Sequence, residues 1–467
     1  MSFQGRMEGF IERHSLLGDG WRLLIALSGG PDSVALMHAL CRLRRRHRWQ
    51  LSAVYINHNI RPRSARREER FCAELCERMK VDFLVERADV PAMATRRRIS
   101  VEEAARDFRY DTFERLAREH NFDRVVLGHH ADDQVETILF RLVRGTGPSG
   151  LVGMPVRRGL FVRPLLEHSK AEILEYLKTN NLAFCRDASN DSSQYSRNFI
   201  RNRVLPVLRE RLNPKVDRAI LGLADTLAVD EAFLEEETDR AARRCLAVTP
   251  GGKFNLDLEM LAGYPAAIRH RLLRRCLRAT WQTEANPDKA TVERVVRLIE
   301  NGSGATSLPN RVRAEISGGR LWLIGRSSRK VDAELVPGRK LELEWPAVNI
   351  SGRLVERSRV RLPDRTRRNR AVLDWSSLRP PMTVRTIRTG DKFGPLGMKG
   401  HKKVGDFLTD HKAPRPLRDE ILLLCDQVGI VWIVGYEIAA RVRVSDNTEK
   451  VLSLAVNIGK KKGRPAV

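Results

Sequence analysis

Leu23 to Leu27 is an uncharged aliphatic run that passes directly into Ser28-Gly29-Gly30-Pro31-Asp32-Ser33. The chain then continues through Val34, Ala35, Leu36, Met37, Ala39 and Leu40 at helical spacing. A short, wholly apolar run of this kind reads as a strand buried on both faces, which requires a parallel sheet covered by crossover helices. Between strand and helix, Ser28, Gly29 and Gly30 let successive backbone N–H groups converge without a Cβ in the way, and the helix adds its positive end. The turn is therefore a candidate phosphate cradle. It lacks the Gly-Lys-Ser/Thr ending of a Walker loop, and Asp32 and Ser33 stand where the loop lysine would be. A carboxylate beside bound phosphates calls for a divalent cation between them, which makes Asp32 a candidate Mg2+ ligand. An ordinary strand-turn-helix corner explains Gly-Gly alone, and only the longer string separates the two readings.

From about residue 20 to 190, strand-like and helix-like segments alternate at the spacing of a parallel α/β sheet. Strands are expected at Leu23 to Leu27, Leu51 to Asn57, Phe83 to Glu86 and Arg124 to Gly128. Ligands of open parallel sheets bind beyond the carboxyl ends of the strands. Here those ends are Ser28-Gly29-Gly30, Asn57-His58 and Gly128-His129-His130, all small or polar. After Pro214 the pattern changes to Arg- and Glu-rich helices, with a strand expected at Leu321 to Ile324. Residues 331–381 read as linker with short strands, 382–458 as a small mixed α/β domain, and 459–467 as a basic tail.

The 467 residues suffice for about three domains of roughly 150 residues. A formal charge of +26 calls for a polyanionic partner, nucleic acid before membrane. No run approaches the roughly 18 apolar residues of a spanning helix, and no secretory signal precedes Leu23, so a cytoplasmic location is expected. Seven scattered cysteines without a Cys-x-x-Cys pair do not form a disulfide framework or zinc site. Cys72 and Cys76, four apart, fit the buried face of one helix.

The fourth strand delivers Gly128-His129-His130-Ala131-Asp132-Asp133-Gln134-Val135-Glu136-Thr137. Asp133 and Glu136, three apart, share one side of the first helical turn beside His129. Such a pair can hold a metal, bind an amine or act as a base, and it can also simply cap the helix. Arg197 and Arg201, four apart, present guanidiniums on one helical face, able to clamp a phosphate or to sit in solvent.

Two resemblances follow from these strings. Ser28 to Ser33 resembles the signature loop of the N-type ATP pyrophosphatases, the PP-loop superfamily, whose fold is a Rossmann-like, doubly wound parallel sheet. Asn57-His58-Asn59-Ile60-Arg61, the Gly128 to Thr137 string running on to Arg141-Leu142-Val143-Arg144-Gly145-Thr146-Gly147, and Arg186 to Asn190 are similar to the tRNA(Ile)-lysidine synthetases. So are Arg197 to Pro206, Gly304 to Pro309, Gly390 to Phe393, Arg418 to Glu420 and Gly435 to Ala439. They occur in that family's order along nearly the whole chain.

The resemblance implies an ATP-dependent ligation of free L-lysine onto the wobble cytidine of a CAU-anticodon tRNA(Ile), by way of an adenylated cytidine, with AMP and pyrophosphate released. It implies that residues 1–215 are the catalytic domain, and 216–330, mainly helical, and 382–458 bind tRNA. Ser28, Gly29, Gly30, Pro31, Asp32 and Ser33 are expected to bind ATP, and Asp133 and Glu136 to handle lysine. Asp32, His129, Asp133, Glu136, Arg197 and Arg201 are the expected catalytic set, and Arg106, Arg109 and Arg203 the expected RNA contacts. No membrane or obligate protein partner is implied, and a homodimer is neither required nor forbidden. His58 and His130 are left without a role. The rival readings are a tRNA thiolase of the same superfamily, which the missing Cys-x-x-Cys disfavours, and a non-catalytic RNA-binding protein.

Overall fold

The computed structural model describes residues 2–60, 62–185, 196–281, 286–325, 330–361, 369–398 and 400–458. The chain divides into two units, Met1–Ala232 and Phe233–Val467, each described by itself. The first runs α1 (Phe3–Arg13), β1 (Arg22–Ala26), α2 (Pro31–His47), β2 (Gln50–Asn57), α3 (Pro62–Met79), β3 (Asp82–Arg87), α4 (Val90–Arg97) and α5 (Val101–Glu119). It continues through β4 (Arg124–Val126), α6 (Ala131–Val143), α7 (Pro148–Leu151), β5 (Arg157–Arg158), β6 (Phe161–Val162) and α8 (Lys170–Thr179). The strands lie in the order β3-β2-β1-β4-β6-β5, parallel except for β5.

Side chains alternate across this sheet, so the aliphatic run is buried twice over. Leu23, Ile25, Leu51, Ala53 and Val126 pack with Phe10, Leu36, Leu75 and Leu177 of α1, α2, α3 and α8. Leu24, Val54, Val125 and Phe161 meet Phe113, Leu116 and Ala117 of α5 on the other face. The doubly wound expectation therefore holds, and Cys72 and Cys76 are buried as expected. After α8, residues 196–212 wind as helical turns that include two π-helical ones, Ile200–Val204 and Leu208–Leu212. The helix Val216–Cys245 spans the boundary between the units.

In the second unit, β7 (Leu246–Val248), β8 (Phe254–Asp257), β9 (Gly304–Leu308), β10 (Val312–Ser317) and β11 (Arg320–Ile324) form an antiparallel sheet in the order β7-β8-β11-β10-β9. Leu272, Leu273, Val292 and Val295 of helices Ala266–Trp281 and Lys289–Glu300 pack with Leu256, Val312, Ala314 and Leu321 of this sheet. Among its described residues, the block read as mainly helical thus also holds five strands. Most escaped notice because a strand of three to six residues leaves too few alternations to register.

The rest comprises β12 (Asp332–Leu335), β13 (Lys340–Leu343), β14 (Val348–Glu356), β15 (Arg370–Asp374), β16 (Met382–Thr386), β17 (Lys392–Phe393), β18 (Lys402–Lys403), β19 (Leu422–Cys425), β20 (Ile430–Ile433) and β21 (Lys450–Ile458). They pair as β12-β16-β19-β20, β13-β14-β21-β15 and β17-β18. Residues 331–381 are consequently not a linker in their described parts. β12, β14 and β15 pair with strands from 382–458, and Ile350 and Leu373 join Val384, Leu423 and Trp432 in one core. The charge-rich exposed faces of these strands concealed their apolar inner faces. Among the described residues, no helix is long and apolar enough to cross a membrane. The expected basic tail, 459–467, lies outside the described residues.

Candidate active site

At the end of β1, Gly29 takes a φ of +80°, the left-handed region that only glycine enters without strain. The next residues open α2, with Gly30 as its N-cap and Pro31 at the first position. The Ser33 hydroxyl donates to Gly30 O at 3.0 Å and accepts from the Ser28 N–H at 3.2 Å. Ser33 is buried, so its hydroxyl shapes the loop from inside, while Ser28 and Gly30 border the open side. Gly128 allows β4 to end against this turn, since a Cβ there would lie 3.3 Å from the Asp32 carbonyl carbon and the Ser33 nitrogen.

The loop and the acids meet through His130. Its Nε2 stands 3.6 Å from Asp32 Oδ1 and 3.6 Å from Asp133 Oδ2, and its Nδ1 3.6 Å from Asp132 Oδ2. Burial disfavours the charged ring, but Asp132, Asp133 and Asp32 outweigh it and raise the His130 pKa. Burial likewise pushes Asp132 up, yet His130, the Lys170 N–H and Arg209 hold it down to about 2. His129 lies beside them in the opposite state. Burial drives its pKa down to about 4, Asp133 opposes, and Arg163, Arg109 and His130 add to the fall.

The two acids are held differently. Arg201 grips Glu136 with both arms, Nε to Oε1 at 2.5 Å and Nη2 to Oε2 at 2.9 Å, and reaches Asp133 Oδ1 only at 3.4 Å. Burial raises Glu136 against the pull of Arg201. Asp133 Oδ2 accepts from the His130 N–H at 3.0 Å, so the capping arrangement is present and the acid keeps Oδ1 facing the site. Arg201, expected on a phosphate or RNA, is thus placed on the acid pair by the π-helical segment.

Sequence reasoning missed Lys170, the first residue of α8. Its Nζ donates to Asp32 Oδ1 at 2.6 Å and its N–H to Asp132 Oδ2 at 2.8 Å. A capping box fixes its backbone, with the Ser169 N–H on Glu172 Oε2 at 2.8 Å and the Glu172 N–H on Ser169 Oγ at 3.3 Å. Ser-x-x-Glu before the apolar Ile173 was the available signal. Asp32 Oδ2 has no hydrogen bond among the described residues, so one carboxylate oxygen is available to a cation shared with phosphates, the way Mg2+ is often held.

Of the expected RNA contacts, Arg106 and Arg203 are exposed, with the Arg106 guanidinium 5.2 Å from the Tyr110 ring centre. Arg109 Nη2 lies 3.4 Å from His58 Nε2. Burial lowers the His58 pKa to about 4, with Arg109 adding to the effect. The side chain of Arg197 and the string Arg186 to Asn190 lie outside the described residues.

The PP-loop domain family matches residues 3–208, and the TilS substrate C-terminal domain family matches residues 382–454. A tRNA(Ile)-lysidine synthase of Clostridium acetobutylicum is 30% identical over 457 residues, covering 96% of this chain and 97% of its own. That of Symbiobacterium thermophilum is 34% identical over 485 residues, covering 98% of each. Among solved structures, the U34-tRNA thiolase NcsA from Methanococcus maripaludis is 16% identical and covers 48% of this chain and 78% of its own, with a TM-score of 0.40, too low to bear on the chemistry. Full-length identity at this level, on a parallel sheet whose first and fourth strands end in a glycine turn and an acid pair, means that the chain belongs to the tRNA(Ile)-lysidine synthase family of enzymes.

Proposed function

We propose that this enzyme joins free L-lysine to the wobble cytidine of a CAU-anticodon tRNA(Ile) in two steps at the strand ends. In the first, the cytosine carbonyl oxygen attacks the α-phosphorus of ATP and pyrophosphate leaves. In the second, the lysine ε-amine attacks the adjacent ring carbon and AMP departs, leaving lysidine. Ser28 to Ser33 cradle the triphosphate. Asp32 is the residue to hold Mg2+, which offsets charge on the departing pyrophosphate when bound. Lys170 sets an ammonium beside the same carboxylate, in a loop that has no lysine of its own.

The lysine amine, with an ordinary pKa near 10.4, arrives protonated and must lose a proton before it attacks. Asp133 Oδ1 takes that ammonium and accepts its proton, while Glu136, locked to Arg201, sets the direction of the pair. His129 stands beside the nucleotide. Arg106, Arg109 and Arg203 contact the RNA, and the middle and C-terminal parts measure the rest of the tRNA, a task suited to a net charge of +26. The target base must leave its stack to reach ATP.

The observation that supports this reading is His130, 3.6 Å from both Asp32 and Asp133, which sets the Ser28–Ser33 turn beside the acid pair. The test is incubation with ATP, Mg2+, labelled lysine and unmodified tRNA(Ile), followed by nucleoside mass analysis. Label should enter the wobble position with release of AMP. Equal labelling of a tRNA with another anticodon would contradict the assignment.

A further inference from the structure

Lys253 and Glu420 are buried charges that the steps above do not use, at 5% and 9% exposure. Lys253 ends the short connection from β7 to β8, residues 249–253, and Glu420 ends the 3-10 helix Arg415–Glu420 that precedes β19. They belong to different cores. Leu256, Leu272 and Leu321 pack in one and Val384, Leu423 and Trp432 in the other, and the two have no residue in common among those described. The bonds between them run both ways. Glu420 Oε1 accepts from Thr249 Oγ1 at 2.9 Å, its Oε2 accepts from the Gly251 N–H at 3.0 Å, and the Lys253 ammonium lies 3.4 Å from Oε1. Lys253 Nζ also donates to Pro416 O at 2.5 Å and pairs with Asp419. Trp345 Nε1 adds a bond to Gly251 O at 3.1 Å, and the Ala347 N–H one to Pro250 O at 3.2 Å. Each buried charge is thus satisfied by the opposite body. Gly251 permits the fit, because a Cβ there would overlap the Glu420 carboxylate.

Two bodies with separate cores ordinarily move against each other, and a buried ion pair adds little to stability while demanding one geometry. We propose that Lys253, Gly251 and Glu420 are positioning residues for the RNA, a latch that holds the β7–β11 sheet and the C-terminal core at one spacing so that both grip a single tRNA at once. The inference rests on the reading that both parts bind tRNA. A polyanion held at two places gains from the second grip only where the spacing is right, because effective concentration falls as the two grips become free to wander. The latch therefore acts on how tightly tRNA is held. It does not act on ATP or lysine, which the same reading places at the strand ends of the parallel sheet. It also gives a use to Asp419 and Glu420 of the Arg418-Asp419-Glu420 string.

The test measures tRNA binding and kinetics on the full chain, with hydrogen exchange to follow the latch itself. Gly251→Ala expels the carboxylate and leaves the net charge at +26, whereas Glu420→Gln breaks the ion pair by removing a negative charge. Simple attraction would make Glu420→Gln bind tRNA more tightly, and the latch predicts the reverse. In both variants the Kd and KM for tRNA(Ile) should rise roughly tenfold, with kcat at saturating tRNA and the KM for ATP and for lysine unchanged. Exchange should quicken at residues 249–253 and 415–420 and stay slow in the two cores. An unaltered tRNA Kd in either folded variant overturns the proposal, as does tighter binding by Glu420→Gln or a loss confined to kcat. Free exchange of the Gly251 amide in the wild type also overturns it, and needs no variant to fold. A wild type that does not bind tRNA at all would count against the functional reading, whereas normal wild-type binding with unaltered variants counts against the latch alone.

Discussion

Asp133→Asn should separate the two proposed half-reactions. Asn keeps a side-chain oxygen that can accept the His130 N–H, now held at 3.0 Å, and Asn caps helices about as well as Asp, so α6 should begin as before. What disappears is the charge on Oδ1. Glu136 cannot replace it, because both its oxygens are committed to Arg201 at 2.5 and 2.9 Å. A hydrogen bond to a charged group contributes about 1.5–3 kcal/mol, and each 1.4 kcal/mol is about tenfold, giving roughly 10- to 150-fold. The Asp133 side chain is 24% exposed, so solvent screening favours the lower part of that range, about 10- to 30-fold. Pyrophosphate release without lysine reports the adenylation step, and transfer of labelled lysine reports the second. The loss should fall on lysine KM and transfer, with adenylation and ATP binding unchanged. Equal losses in both steps would show that Asp133 does not act on the amine.

Gly29→Ala should lower the melting temperature and weaken ATP binding by calorimetry, because φ is +80° and the new Cβ would lie 3.2 Å from Cys72 Sγ. The conformational part alone is about 1–2 kcal/mol. Gly30→Ala, at φ −71°, escapes that penalty, and equal destabilisation of the two variants would refute the argument. Lys170→Met should slow pyrophosphate release by about tenfold or more while sparing lysine KM, since it removes a charged donor from Asp32. An unchanged release rate would mean that Lys170 only ties α8 to α2. His47 bridges Glu8 and Asp19 at 2.8 and 2.9 Å, and although burial opposes its charge, these hydrogen bonds raise its pKa. Its stabilisation is complete below the unfolded value near 6.5 and is lost as pH rises through the raised folded value. The melting difference between wild type and His47→Gln should therefore shrink from pH 6 to pH 9, and a constant difference would contradict it.

The parallel sheet was legible because Leu23 to Leu27 is buried on both faces and leaves an unbroken apolar string. The turn from Ser28 to Ser33 was legible because its conformation needs glycine at a fixed place, Gly29 at φ +80°. Lys170 was not, since it reaches Asp32 across 138 residues, and only the β4-β6 pairing brings α8 there. Which partner Arg201 meets is decided by tertiary packing and not by spacing along the chain, and it meets Glu136. His130 gave no sign because its role comes from three carboxylates on α2 and α6 around one ring. Residues 340–356 hid for another reason. In β13, Leu341 and Leu343 alternate with Glu342 and Lys340, which marks a half-buried strand but says nothing of the distant partner that completes its sheet.

The strand that completes this sheet is β21, an interior member zipped to β14 from Val348 opposite Ile458 to Glu356 opposite Lys450, with β15 on its other side. On the ribosome, β13, β14 and β15 emerge long before it and must wait with unsatisfied edges and apolar faces until residues 450–458 have been translated. The parallel sheet has no such delay, because all its strands lie within the first 162 residues. Nascent chains stalled before residue 450 should thus carry a finished parallel sheet, a finished β7–β11 sheet and, from β12 onward, an unfinished, aggregation-prone remainder.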